Sequence, residues 1–120
     1  MTKIQNSKRY DLEERTKKFS QRVRIFVKNL TKTIGNIEDG KQLIRSSGSI
    51  GANYIEANEA LSKKDFLMRI KICRKEAKES KYWLELIDIR DDETEKERLV
   101  LIQEATELMM IFSSIMRKSQ

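Results

Sequence analysis

The sequence predicts an all-α protein, an antiparallel up-down four-helix bundle. Its 120 residues include no proline and four glycines, and 37% of them are charged, a composition typical of long helices rather than sheets. Apolar residues recur at helical spacing in four segments joined by short polar links, and short links favour antiparallel neighbours. A chain of this length fits one domain that can bury a core without a disulfide or a structural metal.

The first helix is expected over residues 11–34, after a flexible N-terminus at residues 1–9, with the bundle occupying residues 10–118. Asp11 and Glu14 have the spacing of a capping box. Gly35 and Asn36 are expected to end this helix, because both residue types tolerate the left-handed conformation at a helix C-terminus. The apolar stripe of the helix comprises Leu12, Phe19, Val23, Phe26, Leu30 and Ile34.

The second helix is expected over residues 38–61, with Glu38 and Asp39 favoured in its first turn by the helix dipole. Gly48 and Gly51 interrupt it, and each glycine costs a helix interior about 1 kcal/mol relative to alanine. We therefore expect another backbone to approach closely at these positions. The main inward stripe comprises Leu43, Ser47, Ile50, Tyr54, Ala57 and Leu61, and a second stripe beside it comprises Ile44, Gly48, Gly51 and Ile55.

The third and fourth helices are expected over residues 63–90 and 93–117. Ser62 is a candidate N-cap for the third helix, and the turn at residues 91–94 supplies the cap of the fourth. Tyr82 and Trp83 are expected to belong to the bundle. The third helix carries a heptad seam of Phe66, Ile70, Cys73, Ala77, Ser80, Leu84 and Ile87. The fourth helix carries a stripe of Leu99, Ile102, Ala105, Met109, Phe112 and Met116, with Leu108, Ile111 and Ile115 beside it.

The residue inventory argues against catalysis. The chain has no histidine, and its single cysteine, Cys73, lies in the apolar seam, where we expect a small core residue rather than a nucleophile. Asn53, Glu56 and Glu59 share a helix face but have no matching carboxylate pair on another helix for a di-metal site. The serine and glycine run lacks the Gly-Lys-Ser/Thr ending of a phosphate loop. We expect a non-enzyme with no cofactor, metal or small-molecule substrate.

The placement of charge is more informative than its total of +6. Basic residues outnumber acidic ones by ten to three over residues 1–35 and by nine to five over residues 62–90, whereas acidic residues lead by four to two and by seven to four in the other two segments. The basic strips of the first and third helices are therefore candidate contacts to the phosphates of structured RNA or DNA. They comprise Arg15, Lys18, Arg22, Lys32, Arg69, Lys71, Arg74, Lys75, Lys78 and Lys81.

A solvated face, partly neutralised by Glu76, Glu79 and Glu85, is the alternative interpretation of these strips. Because few aromatic side chains are available to stack on bases, any binding should be directed at the nucleic-acid backbone. No apolar run has the length of a membrane span or of a signal peptide. A cytoplasmic protein without membrane association is therefore expected.

Three blocks of sequence resemble one protein family. They lie at residues 42–57, 62–66 and 77–84 and read QLIRSSGSIGANYIEA, SKKDF and AKESKYWL. In these blocks the chain looks like the four-helix-bundle proteins encoded by intervening sequences within bacterial 23S ribosomal RNA genes, from about Asp11 to Met116. It is more distantly similar to the accessory protein of diversity-generating retroelements.

The resemblance implies a left-handed bundle that assembles into a ring-shaped homopentamer, with nucleic acid as the suspected partner and no accepted catalytic set. Many relatives have glycine where this chain has Ala57. The family's recurring motif maps here to Gln42, Leu43, Arg45, Ser46, Ser49, Asn53, Glu56 and Ala57.

Beside this motif, we expect the small residues Gly48, Ser49, Gly51 and Ala52 to admit the helix of a neighbouring subunit. The alternative function is a protein–protein interaction scaffold that has no role with nucleic acid.

Overall fold

The computed structural model describes the backbone of residues 3–120 and the side chains from Asp11 onward. It confirms the all-α prediction: the described chain forms four helices and no strand. They are α1 (Lys3–Lys28), α2 (Ile34–Asn58), α3 (Lys63–Leu86) and α4 (Asp92–Ser119). Each helix contacts the next one along the chain, α4 returns to α1, and the bundle measures 47 × 23 × 19 Å. Helices α1 and α3 are therefore diagonal and lie on opposite sides of α4.

Helix α1 begins and ends earlier than its apolar pattern predicts. It starts at Lys3 rather than near Asp11, so residues 3–9 of the segment expected to be flexible have helical backbone, while residues 1 and 2 lie outside the described residues. No glycine or proline interrupts residues 3–28, and nothing local stops the helix from extending. Its last residue is Lys28, six residues before the expected end.

Gly35 and Asn36 lie in the first turn of α2 instead of ending α1. Thr33, in extended conformation, is the N-cap, and its hydroxyl accepts the Asn36 N–H at 3.1 Å. None of the described residues has a positive φ, so the left-handed conformation expected at Gly35 or Asn36 does not occur. A threonine cap upstream decides where α2 starts, and the carboxylates Glu38 and Asp39 fall in its second turn.

The caps of α3 and α4 agree with the sequence. The Ser62 hydroxyl accepts the Asp65 N–H at 3.1 Å, and the Asp91 carboxylate accepts the Thr94 N–H at 2.9 Å. Helix α3 ends at Leu86, short of residue 90, because the chain becomes extended at Ile87. From α4, Arg98 donates to the Ile87 carbonyl at 2.6 Å, which satisfies an acceptor that the end of α3 leaves free.

The core follows most of the predicted stripes, including Cys73, whose thiol donates to the Ile50 carbonyl at 3.4 Å. Burial raises the pKa of this thiol to about 12. Three residues of the predicted inward stripes are exposed instead: Ile34 is 84%, Leu61 98% and Leu99 58% accessible. Ile34 is the first residue of α2, and Leu61 lies in the link between α2 and α3. Helix α4 is rotated relative to its predicted stripe, so its buried residues are Leu101, Ala105, Leu108 and Phe112.

Helix α4 is long and apolar enough, by length and composition, to cross a membrane. Its buried residues, however, face the other three helices, and Phe112 packs on Tyr54 of α2 with ring centroids 5.9 Å apart. Glu104 and Glu107 lie in the middle of the helix and pair with Arg15 of α1. These contacts are those of an amphipathic helix packed along one face in a bundle, and only 22% of its most apolar stretch is buried in the described chain.

Candidate nucleic-acid interface and the seam between α2 and α3

The small residues of α2 let it approach α1 of the same chain. A Cβ atom added at Gly51 would lie 2.9 Å from Thr16 Oγ1, and one added at Gly40 would lie 2.9 Å from a Val27 methyl group. At Gly48 the nearest α1 atom, Ser20 Oγ, would be 3.8 Å away. A close approach is therefore present at Gly51, where it occurs inside the subunit, whereas at Gly48 an added Cβ would make only an ordinary van der Waals contact.

The small residues expected to contact another subunit lie partly against α1 and partly at the surface of the bundle. Gly48 and Gly51 border a groove between α1 and α2, on the side where they meet Ser20 and Thr16. Ala52 and Ile55 lie on the outer rim of the same groove and are exposed. Ala52 and Ile55 are thus the more exposed part of this stripe, while Gly48 and Gly51 are half-buried beside α1.

The motif residues of α2 form a polar seam with α3. The Arg45 guanidinium donates to Glu76 at 3.0 Å and to Glu79 at 2.6 Å. Deeper in the bundle, the Ser46 and Ser80 hydroxyls are 2.9 Å apart and fully buried. These contacts satisfy polar groups that would otherwise destabilise the bundle when buried.

The same seam continues toward the C-terminus of α2. The Asn53 side-chain oxygen Oδ1 accepts from the Arg69 guanidinium of α3 at 2.9 Å, while the Asn53 side-chain amide donates to the Ser49 backbone carbonyl at 2.9 Å. Leu43 and Ala57 belong to the core, whereas the side chains of Gln42 and Glu56 are exposed. Three of the eight motif residues, Arg45, Ser46 and Asn53, are thus explained by contacts between α2 and α3.

In this seam the pKa values of Glu76 and Glu79 are shifted in opposite directions. Burial is the largest effect on Glu76 and raises its pKa. Burial acts in the same direction on Glu79, but hydrogen bonds with Glu76, Arg45 and Trp83 outweigh it and lower the pKa of that carboxyl. The pair is held by a guanidinium and an indole N–H, a structural arrangement that joins two helices.

The arginines of α1 are occupied by carboxylates of α4. Arg15 donates to both oxygens of Glu104 at 2.7 Å and to Glu107 at 2.9 Å. Arg22 makes a similar two-pronged contact with Glu97, at 2.7 and 2.9 Å. These bidentate pairs join α1 to α4 and compete with any phosphate for the guanidinium groups. The other two cations of the basic strip predicted for the first helix are exposed: Lys18 on α1 and Lys32 in the link to α2.

Helix α3 differs, because none of its eight cations forms an ion pair within the described part of the chain, and five of them lie along its middle and C-terminal half. We call these five residues the α3 basic row: Lys71, Arg74, Lys75, Lys78 and Lys81. Lys71, Lys75 and Lys78 are exposed, and Arg74 and Lys81 are half-buried. Arg69, the sixth cation expected on this helix, donates to Asn53 instead.

Helix α4, with Glu97, Glu104 and Glu107, lies between α1 and α3. The structure therefore does not merge the two predicted basic strips into one surface.

The prediction for the position of Tyr82 on α3 is wrong. Tyr82 was expected in the bundle, but its side chain is 55% exposed. Trp83 is half-buried, and its indole N–H donates to Glu79 at 3.2 Å. The aromatic pair occupies consecutive positions, which point about 100° apart on a helix, so only one of the two rings can face inward. The heptad seam of α3 passes through Ser80 and Leu84, so this pattern places Tyr82 outside the core.

Among the side chains from Asp11 to Gln120, no group of three or more histidine, cysteine, aspartate or glutamate residues could hold a metal ion. The fold and the site define the class of this protein: a four-helix bundle whose α2 motif is fixed to α3 by ion pairs and buried hydroxyls, with an unpaired basic row on the outer side of α3.

The chain belongs to the family described as 23S rRNA-intervening sequence protein, whose sequence model matches residues 8–114. It is also similar to a crystal structure from Bacteroides thetaiotaomicron, described as a protein with unknown function from the S23 ribosomal protein family. The two chains are 29% identical, the match covers 92% of this chain and 98% of the other, and the TM-score is 0.77. No curated protein matches the chain.

Proposed function

We propose that this protein is a non-enzymatic, nucleic-acid-binding bundle that contacts phosphates through the α3 basic row. The observation that carries the proposal is the difference between the α1 arginines and the α3 basic row, while Lys17, Arg24 and Lys28 of α1 also form no ion pair among the described residues. The α1 arginines Arg15 and Arg22 are held by carboxylates, whereas the cations of the row have no acidic partner among the described residues. Unpaired cations are the ones that can exchange counterions for phosphates.

The spacing of the row suits a phosphate backbone. From Lys71 to Lys81 the helix rises by about 15 Å at 1.5 Å per residue, while phosphates follow one another at about 3.4 Å along the axis of a strand. The row can therefore face several consecutive phosphates without reading base edges. Lys18 lies on α1, which α4 separates from α3, and Lys32 lies in the link between α1 and α2, so both would serve as secondary contacts at most.

The non-enzymatic part of the proposal rests on side-chain chemistry. The chain has no histidine, and burial holds the one thiol, Cys73, protonated by raising its pKa to about 12. The perturbed carboxyls Glu76 and Glu79 are tied to Arg45. No cofactor, metal or small-molecule substrate is therefore proposed, and a cytoplasmic location remains our expectation.

The test compares two variants that lose equal charge. Replacing Lys71, Lys75 and Lys78 with glutamine removes three cations from the row. Replacing Lys28, Lys96 and Lys118, which are exposed and scattered over α1 and α4, removes three cations elsewhere. Fluorescence anisotropy with ribosomal RNA fragments at low salt should show much weaker binding for the first variant only. If both variants lose the same affinity for RNA, net charge alone explains the binding and the row is not the contact. If the unaltered protein does not bind RNA, the proposal is refuted.

We further propose that the protein self-associates, as the ring-shaped homopentamer of the resemblance implies, through the outer rim of α2. Ile37, Ala52 and Ile55 are exposed on that side, with Ile44 half-buried between them. Their intervals of seven, eight and three residues keep them on one face of the helix. An exposed apolar row of this length is typical of a protein–protein contact.

The Ile55→Lys variant should shift the mass measured by light scattering from about five times the 14.2 kDa chain toward the monomer. Leu61→Lys is the matched control, because Leu61 is exposed in a link. An unchanged mass for Ile55→Lys would exclude this rim as the subunit contact, and a monomeric unaltered protein would exclude self-association.

A further inference from the structure

Tyr82 is an exposed aromatic residue whose ring packs against the ring of Trp83. Its ring centroid lies 5.0 Å from that of Trp83, and the two planes meet at 73°, an edge-on contact. Trp83 is itself anchored by its hydrogen bond to Glu79, which Arg45 holds from α2. A chain of contacts thus orients the tyrosine ring from behind while leaving more than half of it accessible.

Cations precede Tyr82 along the same outer face of α3. Lys78 lies one helical turn before it and Lys75 two turns before it, about 6 and 10 Å away along the axis. Both belong to the α3 basic row, and both are exposed. Among the nearest carboxylates on the helix, Glu79 is engaged by Arg45 and Trp83, and Glu85 lies beyond the ring, on the side away from the lysines.

We infer that Tyr82 is a stacking platform for one unpaired nucleotide base, whose flanking phosphates contact Lys78 and Lys75. This inference rests on the proposed function and adds to it a preference for single-stranded segments over duplex. A base in a helix presents only its edge, so a face-on contact with tyrosine needs a base that is free of its stack. The strand would run from Tyr82 toward the N-terminal half of α3, away from Glu85.

A protein partner is the competing explanation for an exposed tyrosine. Met68 and Leu86 are also exposed on this side of α3, two heptads before and four residues after Tyr82. Between Met68 and Tyr82, however, the outer face carries Lys71, Lys75 and Lys78, so it has no continuous apolar strip. Charged residues, lysine above all, are depleted in the cores of protein interfaces. A ring beside lysines instead matches the pattern of single-strand binding surfaces.

The experiment measures the affinity of the full chain for a fluorescein-labelled 12-nucleotide polyuridine and for a 12-base-pair RNA duplex. Tyr82→Ala should weaken binding of polyuridine about tenfold, within the range for loss of one base–aromatic stack, and leave duplex binding nearly unchanged. Tyr82→Phe keeps the ring and should bind like the unaltered protein. Met68→Ala is the matched control, because it removes an exposed side chain from the same face of the same helix.

Trp83 supplies a second readout, because it is the one tryptophan of the chain and touches Tyr82. Its fluorescence should change when polyuridine binds to the unaltered protein and to Tyr82→Phe, and should change less with Tyr82→Ala at saturation. Light scattering of the Tyr82→Ala variant should give an unchanged mass.

Three results would overturn the inference. They are equal affinity of Tyr82→Ala and the unaltered protein for polyuridine, an equal loss for duplex and single strand, and a change of oligomeric mass in Tyr82→Ala. If glutamine variants of the basic row lose binding while Tyr82→Ala does not, the stacking platform fails and the proposed function stands. If the unaltered protein binds neither RNA, the proposed function fails and the platform fails with it.

Discussion

The Asn36 side chain and the Asp88 backbone exchange two hydrogen bonds that join the two links at one end of the bundle. The Asn36 amide donates to the Asp88 carbonyl at 2.9 Å, and the Asp88 N–H donates to Asn36 Oδ1 at 3.0 Å. The same amide also donates to the Thr31 carbonyl at 3.0 Å. One side chain thus fixes the α3–α4 link against the start of α2 and the α1–α2 link.

Asn36→Ala should destabilise the protein by about 2–3 kcal/mol, because it leaves backbone groups of both links without partners in a largely buried position. Asn36 is only 4% exposed. Urea unfolding followed by circular dichroism measures the change. Asn29→Ala, at an exposed position in the same end of the molecule, should change the free energy of unfolding by less than about 0.5 kcal/mol. Similar values for the two variants would contradict the role of Asn36.

Gly51→Ala should destabilise the protein by about 1 kcal/mol, although alanine is the better helix former. The added methyl would meet Thr16 Oγ1 at 2.9 Å, and that hydroxyl is held by the Leu12 and Glu13 carbonyls at 2.9 and 3.0 Å. Overpacking of this kind costs about 1–3 kcal/mol, which outweighs the gain in helix propensity of up to about 1 kcal/mol.

Two further variants make this prediction specific. The double variant Gly51→Ala with Thr16→Ala should be more stable than the sum of the two single changes predicts, because the clash is removed. Gly35→Ala is the matched control, since no atom lies within 4 Å of its added Cβ, and it should be neutral or stabilising. A destabilised Gly35→Ala or an additive double variant in urea unfolding would argue against a close approach at Gly51.

Arg15→Gln should leave RNA affinity within about twofold of the unaltered protein and lower stability by no more than about 1 kcal/mol. Arg15 already pairs with Glu104 and Glu107, so its loss should remove a structural contact that is partly exposed rather than a phosphate contact. Lys78→Gln, in the α3 basic row, should reduce the affinity more and also flatten the dependence of log Kd on log salt by about 0.7–0.9. Both variants are compared by anisotropy titrations at several salt concentrations. A larger loss for Arg15→Gln would assign the contact to α1.

Glu76→Gln should become more stable relative to the unaltered protein as the pH rises. Burial raises the pKa of Glu76 in the folded state above its ordinary value of 4.5, so the unfolded chain releases this proton first. The contribution of Glu76 to stability is therefore greatest below pH 4.5 and is lost as the pH rises through the folded-state pKa. Glutamine stays neutral and removes this loss.

The control for this prediction is Glu79→Gln, because the pKa of Glu79 is lowered in the folded state. Its contribution to stability is present above the ordinary value of 4.5 and is lost as the pH falls through the folded-state pKa. The Glu79 variant should therefore become less stable relative to the unaltered protein over the same rise in pH. Urea unfolding at several pH values between about 3.5 and 7 measures both, and parallel curves for the two variants would contradict the assignment.

The site could be predicted only in part, because charge is visible in a sequence and pairing is not. The basic character of α1 and α3 follows from counting residues, and Arg15, Arg22 and Arg69 are as basic in sequence as Lys75. Their carboxylate and amide partners lie 16 to 92 residues away, a distance that no local pattern reveals. Tyr82 is different, because the heptad seam through Ser80 and Leu84 already places position 82 outside the core, and its misplacement ignored that local pattern.

The sequence by itself determined the class of fold, the number of helices, the cap at Ser62, a cap within residues 91–94 and most of the core, because these depend on periodicity and on local hydrogen bonding. It also indicated that the glycines of α2 need a close neighbour. Only the tertiary structure decided that this neighbour is α1 of the same subunit, that Thr33 begins α2 and frees Asn36 to join two links, and which cations remain unpaired. These outcomes depend on helix rotation and long-range contacts, which are set when four amphipathic helices bury their apolar stripes together.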